Sequence, residues 1–388
     1  MPWRPSSADE GVDEMSDGSS VGGDGHADGQ ADGHGAVTAR PGREAITGAP
    51  GRVSGRRRRR GRGEQAMVPE AEFTSYYDKP VLNGPVWKVP DVPAYLFLGG
   101  LAGGASLLAA GSQATGRDHL ATVTKVGALG AIGASVVALV HDLGRPARFV
   151  NMLRVMKPTS PMSMGSWLLS VYGPMAGLAA ASDVTGLVPR IGTAATVGAA
   201  VTGPGIASYT AALVADTAVP AWHDAHRELP YVFVGSGAVA AGGLGVLAAR
   251  RRADLAPSRN FALFGTALEL AASRLLERRL GMVAEPYQRG RSGVLVRAGE
   301  ALAVAGTAGA FVSHRSKVVR ALSGTALLVG SAMTKWGVFE AGRVSAADPK
   351  YTVVPQRERL RKRQEEAARA EKAGEKAGEK TGAPTADR

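Results

Sequence analysis

The chain has 388 residues, 46 Lys and Arg against 34 Asp and Glu, a net charge of +12, and no cysteine. The missing thiols exclude cysteine-held iron–sulfur clusters, Cys-type zinc sites and disulfides within this chain. The mean hydropathy of −0.03 looks like that of a soluble protein, but it averages two charged tails, 1–90 and 341–388, with a centre of Ala, Gly, Val and Leu.

Residues 1–66 are Gly, Asp, His, Ser and Arg with almost no apolar run, and are expected to be a disordered tail. Five consecutive arginines, Arg56 to Arg60, would suit nucleic acid or a twin-arginine export signal. No apolar stretch of export-signal length follows them closely. Basic flanks on a membrane domain point to anionic lipid and cytoplasmic placement, not to nucleic acid. Met67 opens MVPEAEFTSYYDKPVLNGPVWKVPD, which reads as a natural N-terminus. On that reading 1–66 lie upstream of the true start, and 67–91 lead into a membrane domain of 92–340.

A helix needs roughly 20 mainly apolar residues to cross a bilayer. Eight stretches qualify: 92–112, 119–140, 166–182, 191–219, 230–249, 259–276, 298–313 and 318–339. The sixth carries Glu269 and Arg274, and the seventh is short. All are rich in Gly and Ala, and Gly99 with Gly103, Gly100 with Gly104, and Gly198 with Gly205 permit close helix approach. The glycine run at 99–104 is no nucleotide loop, because it lies inside a span with no strand before it. The expected fold is all-α: a polytopic bundle of about eight transmembrane helices in the cell membrane, between a disordered N-terminal tail and a charged C-terminal tail at 341–388.

Eight spans put both termini on one side, together with the loops after spans two, four and six. The first and last of these loops and both tails are basic, which places the termini in the cytoplasm; Arg250, Arg251, Arg252 and Arg259, in the loop after span five, argue the other way. Residues 356–378 read as an exposed, charge-laced helix with a favourable Glu358–Lys362 spacing, either a solvated tail or a docking segment.

Three groups of residues could carry chemistry. Outside the N-terminal tail, the histidines His119, His141, His223, His226 and His314 all sit at span ends or in loops, so bis-histidine haem ligation is not expected. His223 and His226 with Asp224 and Glu228 could form a metal site or be merely polar, and no metal is expected. Lys125, Asp216, Glu269, Arg274 and Lys335 lie within spans, as structural ion pairs or as a proton path. The third group gathers at one membrane face: Asp142, Arg145, Lys157, Tyr209 and Trp222, with Trp87 and Tyr95 entering the first span there. These aromatics could form an interfacial belt. An aromatic-lined pocket with an acid, a base and a phenol also suits a quinone, whose apolar body needs a slot and whose carbonyls need hydrogen-bond and proton donors.

Five segments carry a resemblance: PAYLFLGGLAGGASLLAAG (93–111), HDLGRPARF (141–149), KPTSPMSMGSWLL (157–169), GPGIASYTAALVADTAVPAW (203–222) and FEAGRVSAADPKYTVVPQRERL (339–360). In these the chain resembles the NrfD family, membrane subunits of polysulfide-reductase-like oxidoreductases of anaerobic respiration. The resemblance implies eight spans, no haem, and a quinone site in the first four-helix bundle. It also implies docking to a ferredoxin-like iron–sulfur subunit that joins a molybdopterin-containing catalytic subunit. This chain would then anchor the complex and pass electrons between menaquinone or ubiquinone and the partner's cluster. Asp142, Arg145 and Tyr209 would lie near the quinone. Tyr209 and Asp142 would hydrogen-bond and relay protons, and Arg145 would stabilise negative charge on the reduced ring. Trp87 and Trp222 would lie near the mouth, with Tyr95, His141 and Lys157 as further binding candidates. The competing class is a transporter or permease, which would favour inverted repeats and helices broken at mid-membrane.

Overall fold

The computed structural model describes residues 81–381 apart from 83 and 86, and of residues 146 and 371–381 the backbone alone. The tail expected over 1–66, the start at Met67 and most of the lead-in to the first span lie outside the described residues, as does 382–388.

Among the described residues the chain is helical without strands. Eight long helices follow one another: α1 (Asp91–Ala114), α2 (Asp118–Leu143), α3 (Pro161–Thr185), α4 (Pro189–Ala215), α5 (Leu229–Ala248), α6 (Arg252–Leu280), α7 (Gly290–Val312) and α8 (Lys317–Ala347). A ninth, α9 (Lys350–Thr381), carries the charged C-terminal segment. Helix ends are set by local chemistry. Gly144 closes α2 in the left-handed region at φ 71°, and Pro146 opens the short helix Pro146–Met152, where a missing N–H costs nothing. The Ser316 hydroxyl caps α8 by accepting from the backbone N–H groups of Val318 and Val319.

Among the described residues, five helices are long and apolar enough to cross a membrane: α1, α2, α4, α5, and α7 taken to Arg315. The expectation of about eight rested on three more that are long, α3, α6 and α8 with 25, 29 and 31 residues, but less apolar. The outer surfaces of the bundle carry aliphatic side chains such as Val137, Leu178, Val201, Leu263, Val294 and Leu322, all exposed. Apolar residues running around a helix, inside and outside, suit lipid rather than water. The chain is thus built as a multi-pass membrane protein.

Neighbouring helices pair as α1 with α2, α3 with α4, α5 with α6 and α7 with α8. The first four form one bundle and the last four another, joined where α1 packs on α5 and α8 and α4 packs on α5. Glycine makes this junction possible. A Cβ at Gly104 would lie 2.6 Å from the Gly237 carbonyl oxygen, and one at Gly103 would collide with the Gly203 carbonyl. The backbones of α1, α4 and α5 therefore touch directly, as close small-residue crossings allow.

The first turns of α9 dock onto the bundle. Arg359 pairs with Asp224 at 3.1 Å, and Glu285 Oε2 receives the Lys350 ammonium at 3.1 Å and the Tyr351 hydroxyl at 3.3 Å. The Lys350 hydrogen bond, above all, holds the Glu285 carboxyl below its usual range. A depressed carboxyl contributes stability above the unfolded value, about 4.3, and loses it as pH falls through the folded one. Protection of the backbone amides at the start of α9, relative to their intrinsic exchange rates, is therefore expected to hold at neutral pH and to fall in acid as the Glu285 carboxyl protonates. Protection that persists at lower pH would show that the pair does not hold this helix.

Candidate functional site

The ends of α2 and α4 and the starts of α1 and α3 meet at one face of the first bundle. There they enclose a cavity of about 230 Å³. Its wall is mainly apolar and aromatic: Trp87 before α1, Val92, Tyr95 and Leu96 on α1, Leu139 on α2, Leu169 on α3, and Leu213 and Val214 on α4. Polar groups are few: Asp142, Arg148, Ser166 and Tyr209.

Each polar group is placed by a specific contact. Tyr209 stands on α4 with its ring against Gly165 of α3, where any side chain would strike the ring. Tyr95 meets it edge-on, ring centroids 6.4 Å apart at 75°. Among the described residues, the Tyr209 hydroxyl has no hydrogen-bond partner. Asp142, in the last turn of α2, accepts the Lys88 backbone N–H at 2.9 Å through Oδ1. That bond fastens the segment before α1 across the end of α2, and the Lys88 ammonium adds a bond to the His141 carbonyl at 3.2 Å. Arg148 donates to the Leu143 carbonyl at 2.9 Å. The Ser166 hydroxyl is spent on the Met162 carbonyl at 2.9 Å.

The residues expected from sequence fall into two sets. Tyr209, Asp142, Trp87 and Tyr95 line the cavity together. Trp222 stands one layer behind: it is fully buried, stacks on Trp87 at 5.4 Å, and donates its indole N–H to the Val338 carbonyl at 2.8 Å. Arg145, His141 and Lys157 do not line it. Arg145 is the exposed residue before the short helix Pro146–Met152, in extended backbone at φ −130°. His141 points outward and bonds Asp91 at 2.6 Å. Lys157 is exposed in the loop before α3, its backbone N–H bonded to Ser163 Oγ at 3.0 Å. Arg148, Ser166 and Gly165 were not singled out from sequence. For Arg148 a signal existed: Pro146 starts a helix, so Arg148 sits within its first turn instead of on the loop.

Elsewhere, the imidazole Nδ1 atoms of His223 and His226 bond the carbonyls of Ala215 and His223, and no cluster of three or more metal-ligating side chains occurs among the described residues. Of the five ionisable residues expected within spans, Lys125 and Arg274 form ion pairs among the described residues. Lys125 meets Asp183 at 2.7 Å, and Arg274 meets Glu300 at 3.3 Å and Glu277 at 3.2 Å. Asp216 ends α4 and borders a separate surface pocket with His223, Asp224 and Arg359.

Among known proteins, residues 80–271 match the family model described as Polysulphide reductase, NrfD. No curated protein matches the chain.

Proposed function

Over residues 80–271 the chain belongs to the NrfD family, membrane subunits of respiratory oxidoreductase complexes, and on that premise we propose that its first bundle exchanges electrons between a membrane quinone and a partner iron–sulfur subunit. The observation that carries this reading is the cavity. All of its lining residues, Trp87 to Val214, fall inside the matched stretch.

The residues present fit a quinone ring. The apolar wall suits its body, and Tyr209, whose hydroxyl has no hydrogen-bond partner among the described residues, lines the space and can offer a donor to a ring carbonyl. When bound there, menaquinone or ubiquinone supplies two-electron, two-proton redox chemistry. The protein's own part is proton handling and charge. Tyr209 donates a hydrogen bond to one ring oxygen and can pass it a proton. Asp142, held by the Lys88 amide near the surface end of α2, exchanges that proton with water. Arg148, and not the exposed Arg145, presents positive charge to the cavity. Trp87, backed by Trp222, screens one side of the slot.

The same face carries the exposed loop residues Arg145, Lys157 and His141. We place the ferredoxin-like iron–sulfur subunit there, bridging to a molybdopterin-containing catalytic subunit, because an electron leaving the cavity has its shortest exit on that face. The transporter alternative gains nothing from the helices, which run unbroken through the bundle.

Photolabelling tests the site. An azido-quinone added to membranes holding the chain is expected to label peptides around Asp142 to Leu169 and Tyr209 to Val214, and excess unlabelled quinol should suppress the labelling. Labelling that avoids both segments would remove the cavity as the quinone site.

A further inference from the structure

The second bundle buries charge of its own, away from the cavity. Glu269 on α6 is 1 % exposed, and neither carboxylate oxygen has a hydrogen-bond partner from the protein. Lys335 on α8 is 0 % exposed. Its ammonium donates to the Phe233 carbonyl at 3.1 Å and lies 3.4 Å from the centre of the Phe233 ring. Each charge is felt by the other, yet no ion pair at contact distance joins them among the described residues.

A structural ion pair inside a membrane would close to contact and use its oxygens, because an unmatched buried charge is very costly. Here the ammonium is turned onto a carbonyl and an aromatic face, and the carboxylate keeps both acceptor atoms open. The surroundings are also arranged. Gly100 of α1 lies beside the lysine stem: a Cβ there would sit 3.8 Å from Lys335 Cε, in ordinary contact. On α5 and α8 the Ser236 and Ser331 hydroxyls bond each other at 2.8 Å, and on α6 and α7 Thr266 and Thr307 do so at 2.9 Å. The Thr334 hydroxyl of α8 stands beside the carboxylate but without a hydrogen bond of good geometry.

The charged groups that face Glu269 are Lys335 from α8 and Glu300 from α7; α1 and α5 present none among the described residues. Glu300 is 6 % exposed, with Oε1 unpartnered and Oε2 bonded to Arg274, whose side chain is half exposed and also holds Glu277. A file of ionisable groups thus runs from the bundle interior to its surface: Lys335, Glu269, Glu300, Arg274, Glu277.

We propose that Glu269 and Lys335 form a single proton-binding site in the second bundle, filled and emptied through Glu300 and Arg274. A metal cation fits poorly beside a fixed ammonium, whereas a proton needs only one open carboxylate oxygen. The proton arrives at a Glu269 oxygen and takes the pair from net neutral to one positive charge; it leaves by the same file. The helix that carries Lys335 also reaches the cavity wall. Phe339, one turn beyond Lys335 on α8, stacks at 6.4 Å on Trp87. Glu269 lies inside the matched stretch 80–271 and Lys335 and Glu300 outside it, but none of the three lines the cavity, so this inference stands apart from the quinone reading.

Infrared titration of the intact chain in lipid nanodiscs tests it with no quinone present. A carboxylic C=O band is expected to grow as pH falls, to vanish in Glu269→Gln, to move in Glu269→Asp, and to titrate at a different pH in Lys335→Met. In Glu300→Gln the band should remain, with its shift on transfer to deuterium oxide slowed at least about tenfold. The site is overturned if no band answers to Glu269, in the Asp variant as in the Gln variant, or if that band is constant across the pH range. The route is overturned if Glu300→Gln exchanges as fast as the unaltered chain.

Discussion

A Tyr209→Phe chain is expected to insert and fold as before and to lose quinol-coupled electron transfer by about 10–100-fold, with kcat falling more than KM rises. The ring does the packing: it fills the space left by Gly165 and meets Tyr95 edge-on at 6.4 Å, and phenylalanine preserves both contacts. Only the hydroxyl is lost, which among the described residues has no hydrogen-bond partner, whereas Asp142, Arg148 and Ser166 each have one. A positioned proton donor contributes about 10²–10⁴-fold, and water at the mouth can replace part of that. Asp142→Asn should cause a comparable loss by a different route, since the amide can still accept the Lys88 N–H but cannot carry a proton. The pair of arginines separates cavity from surface: Arg148→Ala should impair turnover, and Arg145→Ala should affect partner docking instead. Turnover is measured with a soluble quinol analogue and the intact complex. Unchanged rates in Tyr209→Phe would show that the proton comes from elsewhere.

What the sequence revealed of this site depended on parity. Alternate helix ends share a face, so Trp87, Tyr95, Asp142 and Tyr209 could be grouped from span order alone, and they line one cavity. Rotation about each helix axis was not legible. These helices are apolar nearly all round, so no stripe marks which residue faces which neighbour. For that reason the partners of Lys125 and Arg274, Asp183 and Glu300, emerge only from the structure, as does Gly203 opposite Gly103. Lengths failed where charge interrupts the apolar run. Spans expected at 259–276 and 298–313 are helices Arg252–Leu280 and Gly290–Val312, because charged ends remain helical beyond the apolar window. The resemblance puts Arg145 near the quinone ring; the cavity is lined instead by Arg148, carried there by the short helix that Pro146 begins.

Gly103→Val is expected to cost about 3 kcal/mol or more, the upper end for overpacking or beyond it. The reason is that α1 has nowhere to retreat. On one side a Cβ at Gly103 collides with the Gly203 carbonyl of α4, and a Cβ at Gly203 would lie 2.6 Å from the Gly103 oxygen. On the other side Gly104 stands against the Gly237 carbonyl of α5, and Gly100 against the Gly237 Cα at 3.5 Å. Moving α1 off α4 presses it onto α5, and backbone cannot yield as a flexible side chain does. Gly130→Val on α2 is the control, since a Cβ there meets nothing within 4 Å on an exposed face; it should stay within about 0.5 kcal/mol of the unaltered chain. Thermal unfolding in mild detergent compares the two, and equal midpoints would mean that α1 and α4 are not in backbone contact. The crossing also sets the site. Tyr95 lies on α1 two turns from Gly103, and Tyr209 on α4 less than two turns from Gly203, so the same contact fixes the separation of the two rings. Gly103→Ala sets the same Cβ against the Gly203 carbonyl, so it should lower stability by less than valine does while still parting the two rings and reducing quinol turnover.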